Sequence, residues 1–214
     1  MSSDPAGLGE RQVAEALAPF GLSPSRDQVR RIQEYLALLL RWNRSISLTS
    51  IDSPGEIVPR HFGESMYAAK IHPVENCRLA DVGTGAGFPG LALKIICPSI
   101  QLTLIESNRK KAAFLSEAIR TLGFADVQIR QQRFGEIQAG EIRADIITAR
   151  AVGQFKELLK WSRQALAHRG HILLWVGAED ATRIAKTPGW NWQPAAHIPD
   201  SQRRFILIGR PLNS

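Results

Sequence analysis

The seven residues Asp81-Val82-Gly83-Thr84-Gly85-Ala86-Gly87 constrain the fold of this chain more than any other segment. They complete a short apolar run from Arg78 to Val82 that reads as a strand. They precede a stretch from Gly90 to Cys97 that reads as a helix and is stopped by Pro98. Strand, glycines, helix is the order in which an α/β fold places a ligand at the carboxyl end of its strands. Glycine tolerates positive φ and lets the backbone approach a ligand closely. A second predicted strand, Gln101 to Ile105, ends at Glu106, 23 residues beyond Gly83. A carboxylate there can accept hydrogen bonds from both hydroxyls of a ribose.

Two cofactors compete for this pattern. Gly85-Ala86-Gly87-Phe88-Pro89-Gly90 satisfies the G-x-G-x-x-G spacing of dinucleotide sites, with a pyrophosphate over the helix N-terminus. Asp81 leading directly into Gly83-Thr84-Gly85 favours S-adenosylmethionine, which has no phosphate and needs a loop wrapped around its methionine tail. A dehydrogenase would also need a substrate domain, for which the chain has little room after residue 150.

The rest of the second half alternates strand and helix. Asn108 is a plausible N-cap for a helix carrying Phe114, Leu115, Ala118, Ile119 and Leu122, with Gly123 at its end. Strands are predicted at Val127–Ile129, Asp145–Ala149, His171–Val176 and Arg204–Ile208. A helix with Phe155, Leu158, Leu159 and Leu166, closed by Gly170, lies between the second and third of these. The alternation predicts a doubly wound, mainly parallel sheet, with the two late strands forming an antiparallel hairpin at one edge.

Residues 1–78 read differently and are expected to form a helical extension packed on a cofactor-binding domain over 79–214. Ser25-Arg26-Asp27-Gln28 has the form of a capping box. After it, Val29, Ile32, Leu36, Leu39 and Leu40 make one helical face that ends at Trp42-Asn43. A shorter amphipathic stretch surrounds Val13 and Leu17. Pro54-Gly55 and Pro59 mark residues 43–60 as irregular, with helix resuming after His61.

Nothing in the chain approaches the ~20 apolar residues of a membrane helix. The polar start, Met1 to Gly7, lacks the pattern of a signal peptide. Two cysteines, Cys77 and Cys97, suit a reduced cytoplasm better than a disulfide framework. The five histidines show no metal-ligand spacing. No interface pattern is evident, and a monomer is expected. The net charge is +7, and its excess lies wholly in the second half: residues 1–78 hold nine Lys or Arg against nine Asp or Glu, residues 79–214 eighteen against eleven. A basic surface suits RNA or DNA, although many basic domains bind neither.

Several motifs occur in a fixed order: Arg41-Trp42-Asn43, Leu48-Thr49, Arg60-His61-Phe62-Gly63-Glu64-Ser65, the glycine loop through Phe88-Pro89-Gly90, Glu106-Ser107 with Lys110-Lys111 and Phe114-Leu115, Arg133-Phe134-Gly135-Glu136, and Ala149-Arg150-Ala151. In this the chain resembles the small-subunit ribosomal RNA methyltransferase G family, also called glucose-inhibited division protein B. The resemblance covers about residues 28–176, with a weaker echo at Arg203-Arg204-Phe205. It departs from the family at Val176, where a lysine is usual, and at Gly135, where an acid is common. The resemblance implies a Rossmann-like class I methyltransferase that acts at N7 of one guanine in 16S rRNA of the small ribosomal subunit. It implies cofactor contacts at Gly83, Phe88, Glu106, Phe134, Gly135 and Arg150.

Guanine N7 carries a lone pair and no proton, so transfer needs positioning rather than a general base. Arg150, directly after a strand that ends on the cofactor side, is expected to hold the cofactor, O6 or a phosphate. His61 is either a substrate-side contact or a histidine that caps a helix and fills a polar gap. Phe88 either packs on the methionine tail or is a core aromatic. Arg109, Lys110 and Lys111 bind phosphate or form a solvated face. Trp190 and Trp192 stack on bases or pack the edge hairpin. A small-molecule methyltransferase, an NAD-dependent oxidoreductase and a non-catalytic RNA-binding module remain open beside the rRNA enzyme.

Overall fold

The computed structural model describes residues 8–212; the polar start read above, residues 1–7, lies outside them. Strands β1 (Arg78–Val82), β2 (Gln101–Ile105), β3 (Val127–Arg130), β4 (Ala144–Arg150), β5 (Leu166–Gly177), β6 (Trp190–Trp192), β7 (Ala196–His197) and β8 (Arg204–Pro211) form one sheet. Its order is β3-β2-β1-β4-β5-β8-β6, with β7 also on β8. The first five strands are parallel, and β8 runs antiparallel to β5, β6 and β7. This is the expected α/β class with an antiparallel edge.

Side chains alternate between two apolar layers, as the two-residue period of a strand requires. Leu79, Ile146, Leu173 and Ile206 face one layer, and Ala80, Ile147, Leu174 and Leu207 the other. The first layer is closed by α1 (Glu10–Leu17), α2 (Arg26–Asn43), α6 (Gly90–Ile96) and α7 (Arg109–Leu122). The second is closed by α8 (Phe155–Ala165) and α9 (Ala178–Ile184). The N-terminal helices therefore share one continuous cluster with the sheet, from Val13 to Ile208. Because both faces are covered, residues 79–82 of β1, 146–149 of β4 and 172–176 of β5 are buried without interruption. Among the described residues no helix is long and apolar enough to cross a membrane.

The local signals at α2 and α7 are realised. Ser25 Oγ accepts from Gln28 N at 3.3 Å, and Gln28 Oε1 accepts from Ser25 N at 2.8 Å. Asn108 Oδ1 accepts from the amides of Lys110 and Lys111 at 2.9 and 3.1 Å, and Gly123 ends α7 at φ +66°.

Three expectations are corrected. The stretch predicted to stay irregular to residue 60 is helical from Pro54. Here α3 (Pro54–Ile57) runs through a π-helical segment, Val58–Gly63, into α4 (Glu64–Met66) and then α5 (Ala68–Ile71). Pro54 opens the helix, where its missing N–H is harmless, and the wider π turn accommodates Pro59. Leu166 belongs to β5 rather than α8, and Gly170 is not a helix cap. Leu166 pairs with Ala144, the next pair is His171 with Ile146, and residues 167–170 bulge out between them. The two late strands do pair antiparallel, but α9, β6 and β7 lie between them in the chain, so they are not a tight hairpin.

Candidate functional site

The glycine loop leaves the carboxyl end of β1 with Gly83, Gly85 and Gly87 at φ +64°, +59° and +85°. Buried Asp81 anchors it. One carboxylate oxygen accepts from Thr84 Oγ1 at 2.5 Å and from Gly90 N at 3.0 Å; the other accepts from Thr148 Oγ1 on β4 at 2.8 Å. The carbonyl of Ile105 takes the amides of Gly83 and Thr84 at 2.9 and 3.3 Å. From the opposite side the hydroxyl of Tyr35, on α2, donates to the carbonyl of Ala86. A β-carbon on Gly87 would stand 2.2 Å from that hydroxyl, so the close approach requires glycine.

Glu106 closes the loop toward β2. Its carboxylate accepts from Gly85 N at 3.0 Å and from Asn108 N at 2.8 Å. Beside it opens a cleft of about 510 Å³ lined by Gly83, Glu106, Ser107, Phe134, Gly135 and Val152, among others. That volume suits a small ligand or cofactor. Phe134 is held edge-on against Trp161 with ring centres 5.8 Å apart. A β-carbon on Gly135 would meet nothing within 4 Å, so the mouth of the cleft is open there. Four of the expected cofactor contacts, Gly83, Glu106, Phe134 and Gly135, thus converge on one cleft. Backbone that can approach closely, an acid with unused lone pairs and an aromatic wall fit an adenosine, which needs all three.

Phe88 and Arg150 do not line it. Phe88 is a core aromatic, stacked on Tyr35 at 5.3 Å and on His61 at 5.0 Å, with Phe62 edge-on at 5.0 Å. Its neighbours on α2 and on the π-helical segment claim the ring faces that a methionine tail would need.

His61 is held by the same packing and by Thr49, whose Oγ1 lies 2.7 Å from Nε2. Asn43 builds that support: its Oδ1 accepts from Leu48 N and Thr49 N at 2.9 and 3.0 Å, and its Nδ2 donates to Thr49 O at 3.0 Å. Asn43 and the Leu48-Thr49 motif are therefore one device that orients His61. Burial, followed by the Arg150 and Arg60 charges, lowers the His61 pKa to about 3. A folded-state pKa below the unfolded value near 6.5 makes stability that is present above pH 6.5 and is lost as pH falls toward 3. The difference in unfolding free energy between wild type and His61→Gln is expected to shrink by about 2 kcal/mol from pH 7.5 to pH 5. Urea unfolding at both pH values checks this, and a pH-independent difference would remove His61 as a buried neutral group.

Arg150 leaves the end of β4 away from the cleft. Its Nη2 donates to the carbonyl of Arg60 at 2.8 Å and to Glu64 Oε2 at 3.2 Å. Glu64 also holds Arg60 at 3.2 Å and Arg204, from β8, at 2.8 Å, while its carbonyl accepts from Trp175 Nε1 at 2.8 Å. Beside this group lies a second cavity of about 350 Å³, lined by Glu64, Arg150, Val152, Trp175, Val176 and Arg204, among others. Val152 borders both cavities, so they are neighbours across one side chain. Burial pushes the Arg150 pKa down, Glu64 pulls it up, and Arg204 and Arg60 push it down further.

Tyr35 and Thr148 carry no role in the sequence reading, and Glu64 and Arg204 occur there only as members of longer motifs. Tyr35 could have been found, because it sits three residues beyond Ile32 on the apolar face of α2. Glu64 carries no local sign of its burial. Trp190 and Trp192 stack on one another at 5.3 Å, and Arg163 covers Trp190 at 5.5 Å, so they pack the sheet edge. Arg109 and Lys110 are exposed at the start of α7. Among the described residues no three His, Cys, Asp or Glu side chains gather as a metal-binding group.

Residues 28–191 match the model of a family described as rRNA small subunit methyltransferase G. A protein of Stenotrophomonas maltophilia named ribosomal RNA small subunit methyltransferase G is 40% identical over 212 residues, covering 96% of this chain and 92% of its own. A protein of the same name from Chloroflexus aggregans is 34% identical over 195 residues, covering 90% and 80%. Among solved structures, a SAM-dependent methyltransferase from Aquifex aeolicus superposes with a TM-score of 0.62 at 14% identity, covering 76% of this chain and 95% of its own. A mutant of MtNAS in complex with S-adenosylmethionine gives 0.63 at 12%, covering 83% and 74%. At these identities the two structures speak for the fold alone.

Proposed function

The chain belongs to the rRNA small subunit methyltransferase G family, and on that premise we propose that it transfers the methyl group of S-adenosylmethionine to N7 of a guanine in 16S rRNA. The observation that carries the reading is the pair of adjacent cavities at the carboxyl edge of the sheet. One suits a nucleoside; the other is lined with arginine. When bound, S-adenosylmethionine supplies a methyl group on a positively charged sulfur. Glu106 accepts hydrogen bonds from the ribose hydroxyls, the loop at Gly83 and Gly85 lets the backbone approach the tail, and Phe134 with the Gly135 amide borders the adenine. Because N7 bears no proton, the site needs no base. A His61 with its pKa lowered to about 3 and its ring stacked on Phe88 suits that chemistry, since it is neutral and serves position rather than proton transfer. Arg150 works on the substrate side, near O6 or a phosphate, leaving N7 free to attack.

The dinucleotide alternative is disfavoured by Glu106. Its carboxylate takes the Gly85 amide, so a pyrophosphate on this loop would face a negative charge. The enzyme is read as a cytoplasmic monomer whose partner is 16S rRNA or the assembled small subunit.

Tritiated S-adenosylmethionine offered with 30S subunits, naked 16S rRNA and small methyl acceptors tests this directly. Label is expected in 16S rRNA, with aniline-induced strand scission at one guanine after borohydride treatment, as N7 methylation produces. Label confined to small molecules, or binding of NAD in preference to S-adenosylmethionine in calorimetry, would overturn it.

A further inference from the structure

We propose that the arginine cluster on Glu64 is a docking site for one backbone phosphate of the RNA, next to the base that receives the methyl group. The inference rests on the RNA-methylating reading above. Three guanidinium groups, from Arg60, Arg150 and Arg204, surround a single carboxylate. Glu64 is buried, with 2% of its side chain exposed, and can neutralise only one of them. The group keeps a net charge of about +2, because arginine remains protonated at any working pH. The remaining acid at the cavity, Asp180, is engaged by Arg183 at 2.5 Å and does not offset this.

Arg150 is the least exposed of the three, at 17% against 32% for Arg204 and 46% for Arg60, and its charge gains most from an anion bound in the cavity. Here the carboxylate works as a scaffold. It fixes the guanidinium groups of Arg150, at the end of β4, and Arg204, on β8, on the wall of an open cavity, and both retain donors. The Nη1 of Arg204 makes no hydrogen bond among the described residues, while its Nε is committed to Glu64. The backbone under Arg204 is pinned twice: its amide donates to Ser201 Oγ and its carbonyl accepts from the same hydroxyl, at 3.2 and 3.1 Å. It sits opposite Gly177 in the β5–β8 register, so the side chain is delivered to the cavity by the sheet itself. Planar forks of this kind match the geometry of phosphate oxygens. The shared wall at Val152 puts the anion one side chain away from the nucleoside cleft, where an RNA must present its target base.

The same anion chemistry could be met by the carboxylate of the cofactor's amino-acid tail, and the test separates the two sources. In Arg204→Ala, KM for 30S subunits or 16S rRNA is expected to rise at least tenfold, with the calorimetric affinity for S-adenosylmethionine within twofold of wild type. The plot of log kcat/KM against log KCl is expected to become shallower by about one, as one lost phosphate contact predicts. Arg204→Lys, which restores charge without the fork, is expected to recover the slope and only part of the KM. If Arg204→Ala shows no cooperative melting, Arg204→Gln carries the same measurements. An unchanged salt slope overturns the inference even if KM rises, because the loss is then one of packing. Weakened S-adenosylmethionine binding overturns it in favour of the cofactor's carboxylate. If the wild-type protein transfers no methyl group to rRNA, the functional reading fails first and this inference with it.

Discussion

Asp81→Ala is expected to lower the unfolding free energy by about 3 kcal/mol at pH 7 and to remove measurable binding of S-adenosylmethionine. The carboxylate is the one group that ties β1, the glycine loop, the start of α6 and β4 together, through Thr84, Gly90 and Thr148. Alanine leaves a buried amide and two hydroxyls without that partner, at about 1–3 kcal/mol each. Part of this is offset, because the carboxylate is itself strained by burial. Its pKa is raised from 3.8 to about 6, burial outweighing the hydrogen bonds from Thr84, Thr148 and Gly90 and the attraction of Arg150.

The sign of that shift makes a second, finer expectation. A folded-state pKa above the unfolded one means that the native protein holds the proton more tightly. Its contribution to stability is complete below about pH 3.8 and declines as pH rises through 6. Asp81→Asn has no such term, so its stability relative to wild type should improve by about 2 kcal/mol between pH 4 and pH 7. Asparagine can still accept from Thr84 and Gly90 on its oxygen and donate to Thr148 Oγ1. Urea unfolding across that pH range, with calorimetry on the cofactor, measures both effects. An Asp81→Ala protein that binds S-adenosylmethionine as wild type would show that the loop holds its shape without this anchor.

Glu106→Ala is expected to weaken S-adenosylmethionine about a hundredfold while leaving most of the stability in place. The carboxylate spends one acceptor position on Gly85 and one on Asn108, and its unused lone pairs border the cleft. A hydrogen bond to a charged acceptor contributes about 1.5–3 kcal/mol, and two ribose hydroxyls sum to a factor of a hundred or more. Glu106→Gln keeps the shape and one acceptor oxygen, and is expected to lose about tenfold by the same arithmetic. Isothermal titration with S-adenosylmethionine and with its demethylated product reads both. Equal affinity in wild type and Glu106→Ala would move the ribose away from this residue and with it the cofactor's orientation in the cleft.

Much of the fold was legible because its signals are local. The capping box at Ser25, the Asn108 cap, the left-handed Gly123 and the three loop glycines each depend on φ, ψ and hydrogen bonds within a few residues. A sequence displays such dependencies directly. Pro54 and Pro59 misled for the same local reason: proline breaks a helix interior but opens a helix well, and the residues around it do not say which role applies. Leu166 fitted the helical period after Leu159, yet pairing with Ala144 drew it into a strand, which is a choice made by the neighbouring strand. Phe88 is the sharpest case in the site. Its place in the glycine motif suggests a ligand contact, whereas Tyr35 and His61, from elements remote in sequence, stack on it and make it core.

By itself the sequence determined the strand–glycine–helix unit, the acid at the end of β2, the α/β class and the family. Each is written in residue identity and spacing along the chain. Only the tertiary structure decided that Glu64, Arg150 and Arg204 meet. Their contact requires β8 to insert antiparallel beside β5 and the Pro54-to-Ile71 helices to lie on the same sheet face. Strand order and layer packing are set by burial across the whole molecule, and no window of sequence contains them.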